Sequence, residues 1–137
     1  MALVIDASVA VGWIAPSQSN ALTRAALKAA AESGGVVPAH FAMEVLRALR
    51  RLERRRLLQS KALVTGLQDL EQIGLRVDDA NPIERLVAIH KIAEQNGLTA
   101  ADAAYLDLAT RAGMAIATID SALARAAEVI GVALFGL

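Results

Sequence analysis

Four carboxylates in this sequence stand where a fold can put them to chemical use: Asp6, Glu44, Asp102 and Asp120. Asp6 closes the short β-branched run Leu3 to Ile5, and Asp120 closes the run Met114 to Ile119. An acid just past a buried strand sits at that strand's carboxyl edge. Asp102 lies three residues after Thr99, in the first turn of a helix that Thr99 caps. Glu44 is about 60° from Phe41 on a helical wheel, at the margin of an apolar stripe, and from there it reaches a cleft beside the core. Each acid also has an ordinary reading. Asp6 and Asp120 suit N-caps, Asp102 completes a capping-box pattern, and Glu44 can pair with Arg47 on an exposed face. One site explains all four placements together.

Bringing such acids together has an electrostatic consequence. At about 5 Å and an effective dielectric of about 20, each like-charged pair repels by roughly 3 kcal/mol. Either the pKa values rise or cations enter. With oxygen donors only, the fitting cation is hard, Mg²⁺ or Mn²⁺, held by a few carboxylates and several waters. Such a site is suited to activating water against a phosphodiester, so hydrolysis of nucleic acid is a natural reaction. The helix bearing Glu44 also carries Arg47, Arg50, Arg51, Arg54, Arg55 and Arg56. Arg51 and Arg55 lie within about 20° of the Glu44 direction, so with Arg47 they are candidates for backbone phosphates; the plain alternative is a solvated face.

These residues need elements to position them. Leu3 to Ile5 reads as a buried strand, and Ser19 to Glu32 as a helix stopped at Gly34-Gly35. Val36-Val37 is a second strand. Pro38 then suits the first turn of a helix running to about Leu58, with Phe41, Val45, Leu49 and Leu52 buried. Ser60 to Ile73 is a helix closed by Gly74, followed by a strand at Leu75 and Val77. Asn81-Pro82 opens a helix with an apolar stripe at Ile83, Leu86, Val87, His90 and Ile92, ending at Asn96-Gly97. Thr99 caps a helix running to Gly113. A strand at Met114 to Ile119, a helix at Ser121 to Val129 and a last strand at Val132 to Phe135 complete the series. Strands separated by helices predict a three-layer α/β/α domain with a small, mostly parallel sheet, spanning residues 1–137 as one unit. Ligands in such sheets bind beyond the strands' carboxyl ends, where strand order switches.

Composition narrows the functional classes. The 137 residues are 55% hydrophobic and 20% charged, which excludes disorder. Aromatics are 3%, so a base-stacking sheet is not the working surface. Fourteen basic and fourteen acidic residues cancel, so attraction to nucleic acid must come from local clustering. There is no cysteine, hence no thiolate site or disulfide, and the opening segment lacks a leader's basic region. The chain reads as soluble and unexported. His40 and His90 lack partners at metal-ligand spacing and read as structural, and Trp13 reads as packing or a dimer contact. No glycine-rich phosphate loop occurs.

Taken in order, the quoted residues resemble a known family. Asp6-x-Ser8, Glu44 in Glu-Val-Leu, Asp102 in Leu-Thr-Ala-Ala-Asp-Ala-Ala-Tyr-Leu and Asp120 in Ala-Thr-Ile-Asp are together similar to the PIN-domain ribonucleases, with the VapC-type toxins nearest in likeness. The resemblance spans essentially the whole chain. It implies a metal-dependent endoribonuclease acting on a tRNA or ribosomal RNA, with Asp6, Glu44, Asp102 and Asp120 as catalytic and metal-binding acids. It also implies a cytoplasmic homodimer and a VapB-type antitoxin laid across the site. Ser8 and Thr118 would orient carboxylates or solvent. Two features depart from the pattern: Arg47 stands where relatives often carry Asn, and Asp107 is an extra acid outside the metal's ligands. Two competitors remain. One is a haloacid-dehalogenase-type phosphatase, weakened because position 8 is Ser where an Asp-x-Asp pair is wanted. The other is a catalytically silent binding module.

Overall fold

The computed structural model describes residues 1–136. Its order is β1 (Leu3–Ile5), α1 (Ala7–Ile14), α2 (Ala21–Ser33), β2 (Gly35–Val37), α3 (Phe41–Arg54), α4 (Ser60–Ile73), β3 (Arg76–Val77), α5 (Leu86–Asn96), α6 (Ala100–Ala112), β4 (Ile116–Ala117) and α7 (Ser121–Ile130). Short 3₁₀ turns at Pro16–Gln18 and Pro82–Arg85 precede α2 and α5.

All pairings in the sheet are parallel, in the order β3-β2-β1-β4. The chain first winds outward from β1 through β2 to β3, then returns to the other side of β1 as β4. Right-handed crossovers therefore put α1 to α4 on one face and α5 to α7 on the other. The packing agrees: α1 contacts α2, α3 and α4, whereas α6 contacts α5 and α7. The switch in strand order falls between β1 and β4, so the cleft of this α/β/α fold opens where Asp6 leaves β1.

The core joins β1 and β2 to the inner faces of the helices: Val4, Ile5, Val9, Val45, Leu49, Tyr105, Leu106 and Leu123 are among its buried side chains. The predicted stripe of α3, Phe41, Val45, Leu49 and Leu52, is buried as read. Helix α1 comes so close to α4 that a Cβ at Gly66 would run into Ile14.

One helix went unread and three expectations need correction. A separate helix, α1, begins directly after Asp6, because Ala7–Ile14 packs an apolar surface between sheet and helices. Helix α3 ends at Arg54 and not near Leu58, as the chain turns through Arg56 at φ 61°. The last strand is reduced to one parallel bridge, Ile116 to Leu134. The stripe read from Ile83 to Ile92 is mostly not buried: Ile83 in the 3₁₀ turn and Leu86 and Val87 on α5 are 76%, 56% and 68% exposed and His90 is exposed as well, while Ile92 alone packs against the core.

Candidate functional site at the switch in strand order

Asp6 is fixed by backbone before its side chain is considered. Its N–H donates to the Ala117 carbonyl of β4 at 3.0 Å, and its own carbonyl accepts from Val9 at the start of α1. The residue occupies the N-cap position of α1, yet its carboxylate makes no capping bond. Instead Oδ2 accepts from Ser8 Oγ at 2.5 Å and from Thr118 Oγ1 at 2.8 Å. Both hydroxyls reach onward into the loop after β4, Ser8 accepting from the Ile119 N–H and Thr118 from the Asp120 N–H. Oδ1 receives neither hydroxyl. Since no fully buried side-chain polar atom among the described residues lacks a partner, Oδ1 keeps contact with solvent. The residue as a whole is only 5% exposed. Burial pushes its carboxyl up to about 6 against the Ser8 and Thr118 bonds, with the Asp102 and Glu44 charges adding to the rise.

Asp102 enters from the opposite face, in the first turn of α6. Its N–H donates to Thr99 Oγ1 at 3.2 Å, so Thr99 supplies the cap while the Asp102 carboxylate makes no reciprocal box. Burial raises its pKa first, and the charges on Asp120 and Glu44 raise it further. Asp120 does cap: its Oδ1 accepts from the N–H groups of Ala122 and Leu123 at 2.9 and 3.1 Å. For Asp120 the ordinary reading therefore holds, although its charge still bears on Asp102.

Glu44 is the best-neutralised acid of the four. Tyr105 donates its hydroxyl to Glu44 Oε1 at 2.6 Å, and His40 Nε2 lies 3.3 Å from the same oxygen. Burial disfavours the Glu44 charge, but the His40 and Tyr105 bonds and the charges on His40 and Arg47 outweigh it and hold the carboxyl below its ordinary value. Burial and Glu44 together push the Tyr105 phenol far up, so it remains a donor. His40 also bonds the Ala101 carbonyl at 3.0 Å and meets the Tyr105 ring edge-on at 5.3 Å.

Three sequence readings change here. His40, read as structural, has its partners at the site itself: it touches Glu44 and the turn beside Asp102, and its i, i+4 spacing to Glu44 was the available signal. His90 does not lie in a buried stripe; it pairs loosely with Glu94 at 3.8 Å on the surface. Arg47 does not pair with Glu44, whose partner is His40, and contributes only its charge. Tyr105 was missed as a site residue, since an aromatic at helical spacing reads as core, which it also is. Asp107 stands apart, held by Arg85 and Arg111.

The donor set fits a hard divalent cation. Among the described residues no basic side chain lies within 4.0 Å of Asp6, Asp102 or Asp120. Asp6 and Asp102 have raised pKa values, both chiefly through burial and with neighbouring acids adding, and no cation among the described residues offsets their charge by an ion pair. Among the described residues no three acidic or histidine side chains are already grouped to hold a metal ion directly. One or two carboxylates with several waters is how Mg²⁺ is ordinarily held, so the arrangement suits that ion better than a closed cage. Arg47 and Arg51 on α3 and Arg55 just past its end are exposed, and none makes an ion pair among the described residues.

Comparison with known proteins shows the family and the fold. Residues 3–129 match the PIN domain family model. The chain is 33% identical over 125 residues to Ribonuclease VapC3 of Mycobacterium tuberculosis, in strains CDC 1551 / Oshkosh and H37Rv, covering 90% of this chain and 86% of each relative. The crystal structure of PAE2754 from Pyrobaculum aerophilum superposes with a TM-score of 0.63 at 19% identity, over 92% of this chain and 84% of that one. At that identity the likeness is one of fold.

Proposed function

Because the chain belongs to the PIN-domain family, we propose that it is a divalent-metal-dependent endoribonuclease and the toxin of a VapBC-type toxin–antitoxin pair. The observation that carries this reading is the set of unneutralised carboxylates, Asp6, Asp102 and Asp120, at the carboxyl edge of the sheet beside an arginine-bearing helix. Asp6 and Asp102 would be the principal donors to Mg²⁺ or Mn²⁺, with Asp120 and Glu44 completing the acidic site. Bound there, the ion would supply a water made acidic enough to attack phosphorus and a positive charge against the departing 3′ oxygen.

The chain's own residues supply the rest. Ser8 and Thr118 lock Oδ2 of Asp6, which leaves Oδ1 free of both hydroxyls. Tyr105 and His40 hold Glu44 in one place and limit how much negative charge it adds. Arg47, Arg51 and Arg55 would neutralise backbone phosphates and carry little sequence information. A VapB-type antitoxin, a homodimer, a cytoplasmic location and a tRNA or ribosomal RNA target belong to the same proposal. No helix among the described residues is long and apolar enough to cross a membrane.

A catalytically silent module is the second reading, favoured by the capping bonds of Asp120 and the lack of a ready three-ligand group. Mapping new RNA 5′ ends separates the two. The nuclease produces cuts with Mg²⁺ that vanish in EDTA and in Asp102→Ala; the silent module produces none under any condition.

A further inference from the structure

A second feature adjoins the acid site and is not used by it. Between the start of α3, the segment leading into α5, and α6 lies a cavity of about 320 Å³, open to solvent. Its walls include Pro38, Ala104, Leu86 and Ile89, and it shares His40 and Ala101 with the acid site. Its far end is polar. Arg85 holds Asp107 through two bonds at 2.6 and 3.1 Å, Arg111 reaches Asp107 at 3.0 Å, and Arg111 also holds Asp78 at 2.6 Å.

We propose that this cavity receives one unstacked nucleobase of the RNA whose backbone lies on the acids, and so sets the base preference next to the cut. The inference rests on the ribonuclease reading. Three observations choose this occupant. The first is continuity: His40 forms a wall of the cavity and stands 3.3 Å from Glu44, and Ala101 immediately precedes Asp102. A nucleotide with its phosphate at the acids has its base within reach of this opening. The second is size, at the small end of the roughly 300–1,000 Å³ typical of ligand pockets. The third is charge. Two guanidinium groups face two carboxylates, so the polar end is balanced and selects neither a phosphate nor a cation. It presents donors and acceptors side by side between apolar walls, which matches the edge and faces of a neutral heterocycle. Arg85 uses Nε and Nη2 on Asp107, and its Nη1 has no bond to the described residues.

The test fills the cavity from two sides, with Ala104→Leu on α6 and Leu86→Trp at the exposed rim, where folding is least at risk. Wild-type and variants are given a single-stranded RNA library of random sequence with Mg²⁺, and cut sites are mapped by sequencing. In parallel, binding of labelled A, C, G and U hexamers is measured in EDTA. The proposal expects the wild-type to show a base preference at one position beside the cut and among the hexamers. Both variants should flatten it by about tenfold while cutting continues. Unchanged cutting patterns and hexamer preferences in folded variants overturn the subsite alone. No cutting by wild-type in any metal overturns the ribonuclease reading and the subsite with it. A change of molar mass by light scattering with an unchanged cutting pattern overturns the subsite in favour of an interface between copies of this chain.

Discussion

Asp6 carries opposing demands in one side chain. Its carboxyl titrates near 6 when folded against 3.8 in the free residue, because burial penalises the charge. A raised carboxyl pKa means that ionisation opposes folding. Nothing is lost below about pH 4, the penalty grows through the interval, and it is full above about pH 6, at roughly 3 kcal/mol. In metal-free buffer at pH 7.5, Asp6→Asn should therefore be more stable than wild-type by roughly 1–3 kcal/mol. The gain should fade as the pH is lowered to 4, and chemical denaturation at both pH values reads it. A less stable variant at pH 7.5 would mean that the charge-assisted Ser8 and Thr118 bonds outweigh burial. The acids were legible in the sequence only as a set, because each alone suits a cap or a surface pair and one shared site explains all four placements. The company they keep was less so. Nothing in spacing alone says that Tyr105 and His40, sixty-five positions apart in the chain, converge on one oxygen of Glu44.

Among the elements, the buried stripe of α3 was read fully, with Phe41, Val45, Leu49 and Leu52 where the 3.6-residue period put them, while its end was read too long and Arg55 falls just past it. The arginines there have a measurable consequence. An Arg51→Ala, Arg55→Ala double variant should bind single-stranded RNA more weakly. Its log-affinity should also depend less steeply on log salt, by about 1.4 if each arginine meets one phosphate, as a salt titration in EDTA would read. An unchanged slope would return these arginines to the role of a solvated face. Helix α5 was misread because periodicity reports an apolar stripe without saying what covers it. Only its inner side meets α6, leaving Leu86 and Val87, with Ile83 in the turn before it, open. The polar network that ties the start of α5 to α6 was invisible for a similar reason, since Asp78, Arg85, Asp107 and Arg111 come from three separate elements. Burial works against the Asp107 charge, but the Arg85 and Arg111 bonds outweigh it and hold its pKa below 3.8. This stabilisation is present above that value and is lost as the pH falls. Asp107→Ala should destabilise the protein by about 2 kcal/mol at neutral pH, less than a fully buried pair would, since the arginines are 32% and 29% exposed. A thermal melt showing no loss would place the network's worth near zero.

At the scale of the molecule, the alternation of strands and helices prescribed a parallel sheet, and the return of β4 to the far side of β1 created the cleft. The order of the strands was not readable locally: two-residue strands such as β3 and β4 are defined by their neighbours more than by their own residues. The same brevity explains why Val132 to Phe135 contributes a single bridge. With no net charge overall, the protein has no global field for nucleic acid, and its polarity is local: acids at the sheet's edge, arginines along α3. Calorimetric titration of Mn²⁺ into the protein, without RNA and at pH 6.0 and 7.5, bears most directly on whether the acids form a cation site. The account predicts saturable binding that releases protons at pH 6.0, where Asp6 is part-protonated, and that is lost in both Asp6→Asn and Asp102→Asn. Absence of saturable binding in wild-type, or binding by either variant as tight as that of wild-type, would contradict it.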